Sequence, residues 1–205
     1  MDLRRLYREK EQEIKGRLRD FEMAGYRPPR ELFPELCFCL LTPGTKAEQA
    51  DRMIKHLVDT GLLYQGSEQE IAKVLQKRVR FHNAKARHIV AARALLADER
   101  FRLALLREPA KAREFLVRNV RGMGYKEASH FLRNVGKGEG LAILDRHVLR
   151  NLVQYRALQR APASMTPQRY LEIEEKVRSF ARKLGIPMEE LDLLLWSKET
   201  GRIFK

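Results

Sequence analysis

The 205-residue chain carries 41 lysines and arginines against 27 acidic residues, a formal net charge of +14. That length supplies one full hydrophobic core but is short for two independent domains, and the excess of cations points to a polyanionic partner. Cys37 and Cys39 are the only cysteines, too few for a four-cysteine iron–sulfur site. No segment approaches the about 18 apolar residues of a membrane span, and the charged N-terminus is not signal-like, so an intracellular location is expected.

Residues 2–24 place Leu3, Tyr7, Ile14, Leu18 and Phe21 near helical spacing among charges, which predicts an amphipathic helix ended by Gly25. Pro28-Pro29 breaks the chain before residues 30–41. These are apolar almost all round and read as a central buried helix, with Cys37 and Cys39 as buried thiols. Thr42-Pro43-Gly44-Thr45 is a turn, with Thr45 the expected N-cap of a helix over 46–60 that Gly61 closes. Ser67 and Glu70 form a capping-box signature for the next helix, to about residue 77.

Lys77, Arg78, Arg80, Lys85, Arg87 and Arg93 then follow without an intervening acid. Arg80 and Phe81 stand at a helix entrance and pair a guanidinium with an aromatic face. Either the pair stacks on bases, or Phe81 staples its own helix and Arg80 is solvated. Lys85, Arg87 and Arg93 read as a general basic face. Helical patterning continues over 93–106 and 109–119, where Pro109 suits a first helical turn.

Gly122 and Gly124 bracket Met123 just before an amphipathic run, 125–135, and so form a tight turn into a helix N-terminus. Glycine has no Cβ to collide with a phosphate, and N–H groups at a helix start attract anions. Helix, G-x-G turn and helix together make a helix-hairpin-helix, a module that grips a DNA backbone without reading sequence. Lys126 lies in the first turn of the second helix, where the helix dipole disfavours a cation. Such surroundings favour the free amine that a nucleophile needs. An apolar run, 141–144, ends at Asp145, an N-cap candidate whose carboxylate stays ionised. It lies nineteen residues beyond Lys126, enough for a helix and a return loop.

A phosphate-binding lysine and a plain helix cap would explain Lys126 and Asp145 singly; the pair in this order behind G-x-G favours chemistry. His147 suits a phosphate contact or polar surface, and His130, four residues after Lys126, a structural role. Residues 160–165 read as a loop, Thr166-Pro167 opens a helix to 184 closed by Gly185, and a short helix covers 187–196. Residues 197–205 form a basic tail without helical pattern. No period-2 segment or repeat occurs, so the fold is expected to be all-α.

G-M-G-Y-K-E-A-S-H-F-L-R-N-V-G with A-I-L-D-R-H-V-L-R resembles the archaeal-type 8-oxoguanine DNA glycosylase/AP lyases of the helix-hairpin-helix DNA glycosylase superfamily, and the match extends over nearly the whole chain. The resemblance implies a single unit with two helical lobes flanking an active-site cleft. One lobe covers about 30–118, the hairpin about 109–136, and the other lobe the N-terminal helix plus about 137–205. It implies excision of 8-oxoguanine from double-stranded DNA and cleavage of the abasic strand, by a monomer that needs no cofactor.

By the same resemblance Lys126 is the nucleophile and Asp145 its carboxylate partner. Gly122, Gly124, Glu127 and His147 contact DNA phosphates, and Arg80 meets the opposite base or the void. Phe81, Trp196 and Lys205, with its α-carboxylate, recognise the damaged base. Backbone carbonyls of Arg118, Val120 and Met123 would hold an optional monovalent ion. Gly44 stands where relatives carry a polar amide. The rival readings are a glycosylase for another oxidised base and a non-catalytic helix-hairpin-helix DNA-binding protein.

Overall fold

A computed structural model describes residues 2–205, and the described residues contain no β-strand. They fall into two compact units, Tyr26–Phe131 and Met1–Gly25 with Leu132–Lys205. Helix α1, Leu3–Ala24, is capped by Asp2, which accepts the Arg4 N–H, and it buries Leu3, Leu6, Ile14 and Phe21. This is the stripe that the spacing predicts, with Tyr7 and Leu18 at its margin.

Helix α2, Pro29–Leu41, is the axis of the Tyr26–Phe131 unit, with Leu36, Cys37, Phe38, Cys39 and Leu41 fully buried. Pro34 lies inside it and cannot donate to the carbonyl of Arg30. The Tyr64 hydroxyl supplies that bond instead, at 3.1 Å. Around α2 stand α3 (Ala47–Asp59), α4 (Leu62–Gln65), α5 (Glu68–Leu75) and α6 (His82–Ala92). A 3-10 turn, Arg93–Ala97, leads to α7 (Glu99–Ala104), α8 (Pro109–Asn119) and α9 (Tyr125–Asn134). The capping box at Ser67 and Glu70 is formed as its spacing predicts.

Three expectations for this unit are corrected. The N-cap of α3 is Lys46 rather than Thr45, and it makes no side-chain cap bond, because the Thr45 hydroxyl is taken by Lys85. Lys85 and Arg93 do not belong to a solvated basic face. Lys85 is 4 % exposed, and Arg93 caps α4 by donating to the carbonyls of Leu62 and Leu63. The helical run expected over 93–106 breaks at Asp98, whose side chain caps α7 by accepting the Arg100 N–H.

The other unit adds α10 (Arg146–Gln154), α11 (Pro167–Leu184) and α12 (Met188–Thr200) to α1. Arg4 donates to the carbonyls of Lys183 and Leu184 at the end of α11, and Tyr7 donates to Glu190 of α12 at 2.6 Å. Arg133, nearly buried, pairs with Asp192 at 2.7 Å and lies over the Phe21 ring. A buried ion pair of this kind rests on good geometry rather than on charge alone. Helix α12 runs four residues beyond the expected end at 196, because Ser197, Lys198 and Glu199 find partners of their own. Among the described residues no helix is long and apolar enough to cross a membrane.

Candidate active site

The hairpin is held from three sides. Arg113 of α8, 2 % exposed, donates to Ser129 of α9 at 3.2 Å and lies over the Tyr125 ring, while the Tyr125 hydroxyl bonds Glu114. In the turn, Met123 N–H closes onto the Val120 carbonyl at 3.1 Å, and Gly122 has φ +82°. Glu127 reaches back to accept the Gly124 N–H at 3.2 Å, so this amide is engaged within the protein. The third side is His88 of α6. A Cβ on Gly122 would meet its Nδ1 at 2.1 Å, so only glycine lets α6 approach. Burial, then Arg121, Arg87 and Lys85, hold the His88 imidazole below its ordinary pKa and therefore neutral at pH 7.

Lys126 is the second residue of α9, its side chain only 22 % exposed. Its Nζ donates to Thr42 Oγ1 at 3.3 Å and lies 3.8 Å from Glu127 Oε1. Lys85 is the second amine here. Its Nζ donates to the carbonyls of Leu41 and Pro43, at 2.7 and 2.6 Å, and to Thr45 Oγ1 at 3.2 Å. Burial first, then the charges of Lys126 and Arg80, pull its pKa down to about 8 against a smaller opposing pull from Glu127. Sequence reasoning missed Lys85. The signal was present: Lys85 shares the apolar face of α6 with Ile89 and Ala92 at helical spacing, where a lysine needs buried acceptors.

Phe81 is the N-cap of α6 with φ +58°, a left-handed conformation that is strained for an aromatic residue, and its ring is 65 % exposed. It does not staple the helix. The Arg80 guanidinium covers it at 5.2 Å. Arg80 also fills the space beside Gly44, its Cδ 3.4 Å from where a Cβ would sit. Next to this pair lies a cavity of about 560 Å³ bordered by Lys46, Arg52, Lys77, Arg78 and Arg80, with Glu48 the one acid on its wall. His130 is buried edge-on to Phe38 in the same unit.

Asp145 belongs to the other unit and is delivered by a buried segment, 141–144, without regular secondary structure and with no strand to pair with among the described residues. Side chains of α11 take the partner's place. Ala142 N–H donates to Glu174, and the Tyr170 hydroxyl donates to the Ala142 carbonyl while accepting from Leu144 N–H. Asp145 then caps α10 as expected, Oδ1 accepting the N–H groups of His147 and Val148 at 2.8 and 2.7 Å. One oxygen does all the capping, so the helix fixes the carboxylate and the second oxygen has no hydrogen bond among the described residues.

The tail is built into this unit. Asn151, fully buried, donates to Glu199 and accepts from Lys198, and Arg150 donates to Glu199 as well. Burial pushes the Glu199 carboxyl up, but Asn151, Lys198 and Arg150 more than offset it and leave the group below its ordinary pKa. His147 Nδ1 lies 3.8 Å from the same carboxylate. Beyond α12 the chain turns so that Phe204 stacks on Trp196 at 6.2 Å, with the Phe204 carbonyl bonded to Arg17 Nε at 2.7 Å. Lys205 is half-buried.

A family model described as 8-oxoguanine DNA glycosylase matches residues 14–186. The chain belongs to that family. Among similar members, the 8-oxoguanine DNA glycosylase/AP lyase of Fusobacterium nucleatum is 42 % identical over 100 % of this chain and 96 % of its own. The protein of the same description from Korarchaeum cryptofilum is 42 % identical over 94 % and 90 %. The crystal structure of the Thermotoga maritima 8-oxoguanine DNA glycosylase matches with a TM-score of 0.90 at 36 % identity, covering 99 % of this chain and 96 % of that one. The Methanocaldococcus jannaschii 8-oxoguanine glycosylase/lyase, solved in complex with 15mer DNA containing 8-oxoguanine, matches with 0.89 at 35 % identity and covers 100 % of both chains. As an 8-oxoguanine DNA glycosylase family member, the chain has the all-α helix-hairpin-helix fold that its G-M-G-Y-K string implies.

Proposed function

We propose that this protein excises 8-oxoguanine from duplex DNA and then cuts the abasic strand, with Lys126 as the nucleophile of both activities. The supporting observation is a mostly buried amine in the first turn of the hairpin's second helix, bonded to the Thr42 hydroxyl at 3.3 Å with the Glu127 carboxylate farther off at 3.8 Å. The damaged nucleotide has to leave the stack, because C1′ is out of reach within the duplex, at a cost of a few kcal/mol. Phosphate contacts at the Gly122–Gly124 turn and at His147 offset that cost. Arg80 takes the place of the departed nucleotide or meets the orphaned opposite base. Phe81, Trp196 and Lys205 with its α-carboxylate sort the base.

Chemistry follows from one lone pair. The Lys126 nitrogen bonds to C1′ as the C1′–N9 bond breaks, and the base departs with that electron pair and takes up a proton. The second oxygen of Asp145 stabilises the positive character that the sugar develops. The amine then loses a proton and the sugar ring opens to a Schiff base. This acidifies the 2′ proton, whose removal expels the 3′ phosphate by β-elimination. Carbonyls of Arg118, Val120 and Met123 suit a monovalent ion that would brace the turn, since Val120 keeps a lone pair after accepting Met123 N–H.

Borohydride trapping on duplex DNA bearing 8-oxoguanine tests the reading. A covalent protein–DNA complex is expected from the native protein and none from Lys126→Gln; unchanged trapping by the variant would remove Lys126 from the mechanism. A panel of lesion-bearing duplexes distinguishes a glycosylase for another oxidised base, and salt-sensitive binding with no released base would mark a non-catalytic module.

A further inference from the structure

The turn that follows α2 is tied together by more bonds than a cap needs, and they converge on Lys126. A helix end leaves carbonyls without partners. Residue 43 is proline, so no N–H can close onto the carbonyl of Cys39. The Thr42 hydroxyl donates there instead, at 2.9 Å. Thr45 N–H goes to the Thr42 carbonyl at 3.0 Å and leaves the Leu41 carbonyl to Lys85. The Lys85 ammonium has three protons and meets three oxygens of residues 41–45, as a cation should at the negative end of a helix dipole. The turn is thereby locked from α6, more than 40 residues along the chain.

Proton counting then fixes the direction of the bond to Lys126. A threonine hydroxyl has a single proton, and here it is spent on Cys39. Toward Lys126 Nζ, 3.3 Å away, Thr42 can only accept. Each such bond removes one N–H direction from the amine and leaves the lone pair of its neutral form pointing elsewhere. A hydroxyl free to donate would have captured that lone pair. Capping accounts for the bonds of Lys85 and for the Thr42 bond to Cys39. It does not account for the acceptor that this hydroxyl turns toward Lys126.

We propose that Thr42 is a positioning residue for the reaction, taking one N–H of Lys126 so that its lone pair is left for C1′, and that Lys85 acts through Thr42 by locking the turn. This rests on the reading of Lys126 as the nucleophile. Burial first, and then the charge of Lys126, depress the pKa of Lys85, but the proposal stands on the bond geometry. Any substrate that reaches the amine meets the same arrangement, so base excision and abasic-strand cleavage depend on it alike.

The test is the single-turnover rate of borohydride trapping on abasic-site duplex at saturating DNA, per mole of folded protein counted by urea titration. Thr42→Val, isosteric but without the acceptor, should trap about tenfold more slowly with DNA affinity unchanged. Thr42→Ser, which restores the hydroxyl, should return to within about twofold of the native rate. Trapping by Thr42→Val at the native rate would overturn the proposal, whatever that variant does to stability. Should Thr42→Val fail to fold, Lys85→Met carries the test, since it keeps the Cys39 bond and loosens only the turn. A several-fold slower rate with normal binding supports the proposal, and a native rate overturns it. Trapping by Lys126→Gln as strong as by the native protein would instead refute the nucleophile assignment, a result that no Thr42 variant can imitate.

Discussion

Replacing Gly122 by alanine probes the fit between the hairpin and α6. A methyl group there would lie 2.1 Å from His88 Nδ1, 2.4 Å from Cε1 and 2.7 Å from Cγ, so the ring as a whole must retreat by more than an ångström. The backbone at φ +82° adds strain for any residue with a Cβ, about 1–2 kcal/mol. Overpacking adds about 1–3 kcal/mol, for a total of about 2–5 kcal/mol. Gly61 is the internal control. Its φ is +72°, but nothing lies within 4 Å of a Cβ, so Gly61→Ala should cost only the backbone strain of about 1–2 kcal/mol.

Urea unfolding of the two single variants measures this difference, and His88→Ala in both backgrounds assigns it. Removing the imidazole should recover about 1–3 kcal/mol in Gly122→Ala and nothing in Gly61→Ala. Binding to undamaged duplex should weaken in Gly122→Ala alone, because the displaced turn is the one proposed to meet phosphate. Equal costs for Gly122→Ala and Gly61→Ala, or no relief from His88→Ala, would show that the ring does not set the glycine requirement.

Asp145→Asn keeps the capping oxygen, so the unfolding midpoint should hardly move while single-turnover base release falls steeply; Asp145→Ala should in addition lose about 1–2 kcal/mol of stability. Native-like turnover by Asp145→Asn would reduce that residue to a cap. Lys85 has a folded pKa of about 8 against an ordinary 10.5, so unfolding takes up a proton between those values, and the stability that Lys85 contributes should rise with pH across that window. The urea midpoint of Lys85→Met, measured from pH 7 to 11 beside the native protein, should lack this rise. For His88 the depressed pKa gives stability that is complete above about 6.5 and lost as the pH falls through its folded value, and His88→Ala should flatten that acid limb. Deleting Lys205 should weaken discrimination between 8-oxoguanine and guanine while leaving cleavage of a pre-formed abasic site intact, which a panel of three duplexes reads directly.

Features written in neighbouring residues were legible in the sequence, and features written across the chain were not. The caps at Ser67 and Asp145 and the helix start at Thr166-Pro167 need one side chain and an amide two or three residues on, and all three form. The stop at Gly185 and the hairpin around Gly122 are equally local. Thr45 shows where such reasoning fails. Its hydroxyl suits an N-cap, but an ammonium 40 residues away offers a charged donor, and the helix begins one residue later with no side-chain cap. The extra turn of α12 was hidden for the same reason, since the partners of Lys198 and Glu199 sit on α10, more than 40 residues earlier.

The site divides along the same line. The proposed nucleophile and carboxylate stand out in the sequence because each breaks a local rule or satisfies one conspicuously: a lysine where a helix dipole repels it, an aspartate where an apolar run stops. The groups proposed to position them are harder to pick out in sequence. Thr42 reads as an ordinary turn residue until Pro43 is seen to orphan a carbonyl, and Lys85 reads as surface charge until its place on the apolar face of α6 is counted. Tyr170 and Glu174 carry no mark in the helical pattern of 167–184, yet they supply the bonds that a strand would have given the segment leading to Asp145. A search for positioning residues in chains of this kind should therefore begin from polar side chains at buried helical positions and from carbonyls that a following proline leaves unpaired. Both can be found without coordinates: a buried lysine must find acceptors, as Lys85 does in residues 41–45, and a carbonyl deprived of its N–H must find another donor, as Cys39 does in the Thr42 hydroxyl.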